Sequence, residues 1–323
     1  MTKHELKMLT LMAFVAVFTL FISILCGPAG LPSLRNDLSA WSALLELRAM
    51  RSITGFVVGA ALAAAGCVLQ TILRNPLAEP YILGISSGAS VGTALVMTTG
   101  LAMATPLLLP LGSFACSLLT ILLIMAVARR AGGIDIPRNL ILTGIVTGSV
   151  LSSLLMLIIT FSRTHTIRSI TWWMLGNLQC VSWELLLICA LPVILGILLL
   201  IAEAKTLNAM LLGTENAHNL GINTHRSILK LTGIATLITA CAVALSGIIG
   251  FSGLIVPHIM RRRIGANHRY LLPMTALGGG VFLVVCDIIG RIAVPPHEIP
   301  VGVITALTGG PFFLYLMTKR NQH

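Results

Sequence analysis

A carboxylate set inside an apolar run is the group in this sequence best placed to do chemistry. Asp287 stands in VVCDIIGRI. Within lipid such a group marks function by default, most simply a step in a proton path. Arg291 follows four residues later on the same helical face, where an ion pair can form within the helix. The pair is the preferred reading. Arg48 and Arg51 are three apart and also share a face. An exposed basic cluster of this kind can meet acidic groups of a docking partner, giving orientation and faster encounter; snorkelling to the interface is the plainer alternative. If Arg291 is committed to Asp287 its share in docking weakens, and the sequence leaves that open. His258 follows Pro257, and a lone histidine at a helix break reads as hydrogen-bonded structure rather than a metal ligand. In Pro296-His297-Glu298-Ile299-Pro300, Pro300 suits the first turn of a helix and Glu298 its positive end.

The remaining reactive residue types are scattered. The cysteines at 26, 67, 116, 180, 189, 241 and 286 show no C-x-x-C spacing, and the eight histidines form no H-x-x-x-H pair. They read as packing residues, not as a disulfide or metal framework. No nucleophile–base pair is visible. The expectation is a chain that is no enzyme and holds no cofactor or metal.

The elements that carry these residues follow from composition. Of 323 residues, 56% are hydrophobic and 10% charged, with a mean hydropathy of +0.97. A soluble domain carries about a quarter charged residues, so lipid is the solvent here. Spans of roughly 20 apolar residues lie near 8–27, 50–70, 82–103, 106–128, 139–161, 183–202, 229–248, 272–290 and 300–318. A shorter Gly- and Pro-punctuated piece, 250–260, reads as a broken or tilted helix. The expected fold is all-α: one polytopic membrane domain over 1–323, a bundle of about ten transmembrane helices. The first segment is too long for a signal-peptide core and reads as an uncleaved span. An even count puts both termini on one side. With them inside, fifteen of the 21 lysines and arginines fall in inner connections, which favours a cytoplasmic location for both. The charge of +11 is divided among short loops, so nucleic acid is not an expected partner.

Three connections exceed a turn. One, about 28–49, holds Pro28, Pro32 and Trp41. The second, 162–182, is expected outside, with Trp172-Trp173 suited to a membrane interface. The third, 203–228, is expected inside. Its apolar positions at Leu207, Met210, Leu211, Ala217, Leu220 and Ile222 predict short helices with one apolar side, turned at Gly213 and Gly221, with Thr214-Glu215 a helix start. A fourth feature is RNPLAEPYILGISSGAS, residues 74–90, between spans two and three. Asn75 suits a turn, Pro76 and Pro80 stop a helix, Glu79 favours a helix N-terminus, and Gly84 with Gly88 lets helices approach closely. ALAAAG ending at Gly66 precedes Pro76 by ten residues, and ALSG ending at Gly247 precedes Pro257 by the same spacing. If spans two and seven correspond, they enter from opposite sides, as an inverted repeat requires; chance spacing in an Ala/Gly-rich chain is the alternative.

The 74–90 stretch resembles the signature of the FecCD-type permeases, the membrane subunits of ABC importers for iron-siderophores, haem and cobalamin. The resemblance continues in SGIIGFSGLIVPHIMRRRIGANHRYLLP (246–273) and DIIGRIAVPPHEIPVGVITALTGGPFFLYL (287–316), in order along nearly the whole chain. Ser252 departs from it, where a bulky apolar residue is more usual. The resemblance implies a cobalamin-permease-like ten-helix bundle in a bacterial inner membrane. It implies pairing with a second permease subunit, most simply a homodimer, around a shared path. It also implies two cytoplasmic ABC ATPase subunits below and a periplasmic or lipid-anchored substrate-binding protein above. No G-x-x-x-x-G-K-[ST] loop occurs in the chain, so a partner would have to hydrolyse ATP.

Carried onto matching positions, the resemblance assigns ATPase coupling to Leu211, Gly213, Thr214, Glu215, Ala217, Leu220 and Gly221. It assigns binding-protein docking to Arg48, Arg51 and Arg291. Structural signature roles fall to Asn75, Pro76, Glu79, Pro80, Gly84, Gly88, Pro257, His258, Asp287, Glu298 and Pro300. Spans five and ten with the 162–182 connection are the expected path and gate. The expected cargo is an iron(III)-siderophore chelate, with haem or cobalamin next. The competing class is a proton-coupled secondary transporter using Asp287.

Overall fold

The structure, a computed structural model, describes residues 3–27, 38–130, 136–179 and 182–320. Pro28, Pro32 and Cys180 lie outside the described residues.

Every regular element found is helical: α1 (Lys3–Leu25), α2 (Leu38–Ile72), α3 (Ile85–Thr98), α4 (Leu101–Ala104), α5 (Leu108–Arg130), α6 (Ile136–Thr160), α7 (Thr164–Met174), α8 (Trp183–Ala202), α9 (Ala204–Leu211), α10 (Thr214–Asn219), α11 (Thr224–Ser246), α12 (Ser252–Ile264), α13 (His268–Ile292) and α14 (Val301–Arg320). A 3-10 turn at Pro80–Leu83 precedes α3. Among the described residues seven helices are long and apolar enough to cross a membrane: α1, α2, α5, α6, α8, α11 and α13. With α3, α12 and α14, which are outside those seven, they make the ten expected, each overlapping a span read from the sequence.

Helix α2 differs from its expected bounds. It begins at Leu38 rather than near residue 50. The stretch LSAWSALLELRAM is too polar to read as a span but rich in good helix formers, so the helix continues past the apolar limit. Its 35 residues run about 52 Å at 1.5 Å each, well over a hydrocarbon core of roughly 30 Å. Glu46 on this extension accepts a hydrogen bond from the Trp183 indole at 2.9 Å, tying it to the start of α8.

The centre of the bundle is α2 against α13 and α12, where small residues let backbones touch. A Cβ on Gly59 would lie 2.2 Å from the Gly279 carbonyl oxygen, and one on Gly66 would lie 2.0 Å from that of Gly253. Only glycine fits at either contact. Around this pair a continuous core draws Val58, Leu62, Leu69, Leu231, Ile238 and Leu283 from α2, α11 and α13. The outward faces remain apolar, as a helix facing lipid requires: Phe14, Val17 and Phe18 on α1, and Leu187, Leu191 and Leu198 on α8, are exposed. On α6, Ile145, Val146, Val150 and Leu157 are likewise uncovered by this chain.

The two echoed breaks meet. Glu79, in the turn after α2, accepts a hydrogen bond from the backbone N–H of Phe251, at the start of α12. Tyr81 accepts another from the Ile249 N–H at 3.1 Å. Phe251 has φ +66°, an uncommon left-handed conformation for a bulky residue. The Glu79 carboxyl satisfies the N–H that this kink exposes.

Candidate functional site

At the end of the bundle that the lysine and arginine bias assigns to the outside, four charged residues from three parts of the chain form one cluster. Arg51 on α2 reaches Asp287 on α13, with Nη2 2.8 Å and Nε 3.0 Å from Oδ1. Its Nη1 donates to Glu298 at 2.7 Å, just before α14. Arg291 lies 3.0 Å from the other Asp287 oxygen, near enough for an ion pair but not aligned as a hydrogen bond. Its remaining donors turn to α1: Nη1 to the Cys26 carbonyl at 2.8 Å, Nη2 to the Ser23 hydroxyl at 2.6 Å. Ser23 and Ser52 hydroxyls are 2.7 Å apart. Two guanidiniums thus face two carboxylates in a largely dry place, the arrangement that makes buried charge tolerable.

The outer-mouth arginines are therefore not the exposed basic cluster expected. Arg291 is 2% and Arg48 7% exposed. Arg48 donates to the Leu25 carbonyl at 3.0 Å, closing the end of α1. Arg51 alone borders open space: a cavity of about 460 Å³ lined also by Trp172, Asn177, Gln179, His297, Asp287 and Glu298. Glu298 spends its charge on Arg51, where the sequence suggested only the α14 dipole.

At the opposite end, which the same bias assigns to the inside, α9 and α10 make a ledge. Ala204, Leu207, Met210 and Ala217 are buried against the bundle, while Leu211, Leu212, Glu215 and Leu220 point outward. Thr214 opens α10 after Gly213 at φ +113°, and Gly221 at φ +82° turns the chain out of it. Positive φ favours glycine at both places. Glu203, just ahead of the ledge, pairs with Lys230 of α11 and accepts from Thr206 at 2.8 Å. The Lys230 hydrogen bond, then Thr206, holds its carboxyl below the usual carboxylate range.

Sequence reasoning missed a polar node behind the ledge, buried at His268 and Thr71 and half-buried at Asn208. Asn208 of α9 accepts from the His268 backbone N–H at 2.8 Å, and its Oδ1 lies 3.0 Å from the ring Nδ1. His268 Nε2 is 2.8 Å from the Thr71 hydroxyl at the end of α2. The available signal was a single asparagine beside the apolar stripe of α9.

The remaining signature residues are structural in position. The Asn75 side chain accepts from the Leu77 N–H at 2.9 Å, an Asx turn that carries Pro76. Pro80 opens the 3-10 turn and Gly84 ends it at φ +69°. Gly88 meets α5 so closely that a Cβ would sit 2.2 Å from Thr120 Oγ1. Pro257 lies inside α12. Contrary to expectation no hydrogen bond of His258 is found among the described residues: its ring packs edge-on to Phe312 at 6.2 Å, and Nε2 is buried without a partner there. Pro300 sits immediately before α14.

Together these elements make a bundle with a charge-locked end and an exposed amphipathic ledge at the other. The FecCD transport family profile matches residues 8–319. The chain belongs to that family. The haemin transport system permease protein HmuU of Yersinia pestis is 39% identical over 294 residues, 89% of this chain and 86% of that one. The vitamin B12 import system permease protein BtuC of Serratia proteamaculans is 37% identical over 322 residues, 98% of this chain and 93% of that one. Among solved structures, an inward-facing metal-chelate type ABC transporter superposes with a TM-score of 0.84 at 32% identity, covering 98% of this chain and 99% of that one. The resemblance read from the three motifs to the FecCD family, and the ten-helix fold it implied, both stand. Within this FecCD-family fold the 74–90 signature is the turn after α2 that reaches across to α12.

Proposed function

We propose that this protein is the membrane-spanning permease subunit of a binding-protein-dependent ABC importer. It alternates between outward- and inward-open states while a separate ATPase supplies the energy. The family match over 8–319 carries the reading, and the exposed ledge at Leu211, Leu212 and Leu220 supports it as a place for an ATPase to grip. The partners are two cytoplasmic ABC ATPase subunits, a periplasmic or lipid-anchored binding protein and a second permease copy, in a bacterial inner membrane with both termini inside. The uncovered face of α6 fits the second copy, and α6 with α14 lines the path. The binding protein docks at the outer mouth, where Arg51 is the arginine bordering the open cavity.

The cargo is a metal chelate. An iron(III)-siderophore is the first reading. Relatives named for haemin and for vitamin B12 favour a macrocyclic chelate equally. Asp287 supports no proton path, because both its oxygens face guanidiniums.

The test is uptake into proteoliposomes holding permease and ATPase, with binding protein outside and ferrichrome, haemin or cyanocobalamin as cargo. ATP-dependent accumulation of one of the three is expected. Accumulation driven by a pH gradient with no ATPase present would overturn the reading.

A further inference from the structure

The two ends of the bundle are joined by one helix pair. Helix α13 begins at His268 beside the inner ledge and carries Asp287 and Arg291 at its outer end. Helix α2 runs the other way, from Arg51 outside to Thr71 inside. Between these ends the two cannot slide freely, because Gly59 and Gly279 bring their backbones into contact. Interlocked helices of this kind shift together rather than deform.

The ledge is fastened to both members of the pair at one point. His268 is fully buried. Its backbone N–H is one of the unpaired donors in the first turn of α13, and Asn208 Oδ1 accepts it. The same oxygen takes the ring Nδ1, and the ring's other nitrogen reaches Thr71 of α2. Asn208 Nδ2 meanwhile donates to Asn267 Oδ1 at 2.9 Å. The rest of the buried face of α9 is apolar, with Leu207 and Met210 in contacts that have no preferred direction. Hydrogen bonds do have one, and breaking them here leaves buried polar atoms bare. Motion of α9 that keeps these bonds carries His268 with it and, through His268, Thr71.

We propose that Asn208 is a positioning residue for coupled transport: with His268 and Thr71 it forms the joint through which motion of the ledge enters the α2–α13 pair. The inference rests on the reading of the ledge as the ATPase contact. Through the joint, a push at α9 is delivered about 28 Å away, where Arg51 and Asp287 meet, taking 1.5 Å for each helical residue from 268 to 287.

The test uses the full transporter in proteoliposomes, with whichever of ferrichrome, haemin and cyanocobalamin the unaltered complex imports. The readout is cargo imported per ATP hydrolysed. Asn208→Leu, which keeps bulk but removes the acceptor, is expected to lower that ratio about fivefold or more while the ATPase still co-purifies. Asn208→Asp, which keeps the acceptor oxygen, is expected to stay within about twofold of the unaltered ratio. Thr71→Val, on the far side of the joint from the ledge, is expected to lower the ratio too. An unaltered ratio in Asn208→Leu overturns the proposal, as does equal loss in Asn208→Asp and Asn208→Leu. If Asn208→Leu fails to assemble and Thr71→Val couples normally, Asn208 is an anchor and nothing more. Absence of ATP-driven import by the unaltered complex is a different failure: it removes the transport reading, and the joint with it.

Discussion

Arg51 and Asp287 stand 236 positions apart in the chain and meet through two guanidinium nitrogens, at 2.8 and 3.0 Å from one carboxylate oxygen. The contact ties the outer ends of α2 and α13, and Glu298 extends it to the segment before α14. Its consequence for stability is asymmetric. Removing Asp287 would leave Arg51 and Arg291 facing each other without their shared counter-charge.

Asp287→Asn is accordingly expected to destabilise the bundle by roughly 3 kcal/mol, the scale for breaking a buried pair from one side. Glu298→Gln, at a site one-third exposed, is expected to cost under about 1 kcal/mol. Thermal unfolding of both in detergent, followed by size-exclusion chromatography, compares them. Equal melting temperatures for Asp287→Asn and the unaltered protein would contradict the pairing.

Gly66→Ala places a methyl group 2.0 Å from the Gly253 oxygen, in the backbone contact of α2 with α12. The helices must part, and an overpacked core of this kind loses about 1–3 kcal/mol. Gly310→Ala is the control, since nothing lies within 4 Å of its added carbon. A lowered melting temperature in the first and an unchanged one in the second is the expected pair of results.

Both experiments rest on contacts of different legibility. Nine of the ten spans could be read because lipid imposes a length and a composition on each helix; the piece at 250–260 was too short for that and was read from its Gly and Pro breaks. Gly213, Thr214 and Gly221 could be read because turns demand particular residues. Arg291 beside Asp287 could be read because four residues is one helical turn. Arg51 on Asp287 could not, since no local rule links positions 51 and 287. Glu298 was assigned to the nearest helix dipole because its true partner is equally remote in sequence. The outer extension of α2 was missed because hydropathy reports where lipid ends, not where a helix does. Asn208 was not singled out, since its partners lie at 268 and 267.

The inner tie between Glu203 and Lys230 gives a pH dependence with a definite sign. The carboxyl is held below its usual range, so its contribution is fully present above the unfolded value of about 4.3 and is lost as pH falls through the folded one. The pair is partly exposed, so its worth is under about 1 kcal/mol. Glu203→Gln is expected to melt slightly below the unaltered protein at neutral pH. The difference should vanish in acid, below about pH 4. A difference that grows on acidification would reverse the sign and remove the tie.

The ledge makes the sharpest separation between folding and function. Leu220 is 63% exposed and Glu215 also faces outward, so neither supports the bundle from within. Leu220→Asp and Glu215→Lys are expected to leave stability within about 0.5 kcal/mol, as surface changes do. An ATPase seated on the ledge would feel both: one loses an apolar contact, the other reverses a charge. Ala217 is the internal comparison, because it is buried on the same short helix and its replacement by Leu should cost folding instead. The expected pattern is normal melting with ATP hydrolysis released from uptake in the two surface variants, and reduced membrane yield in Ala217→Leu. Full uptake and full ATPase retention in both surface variants would leave the ledge without a function and send the search for the ATPase contact elsewhere on the inner face.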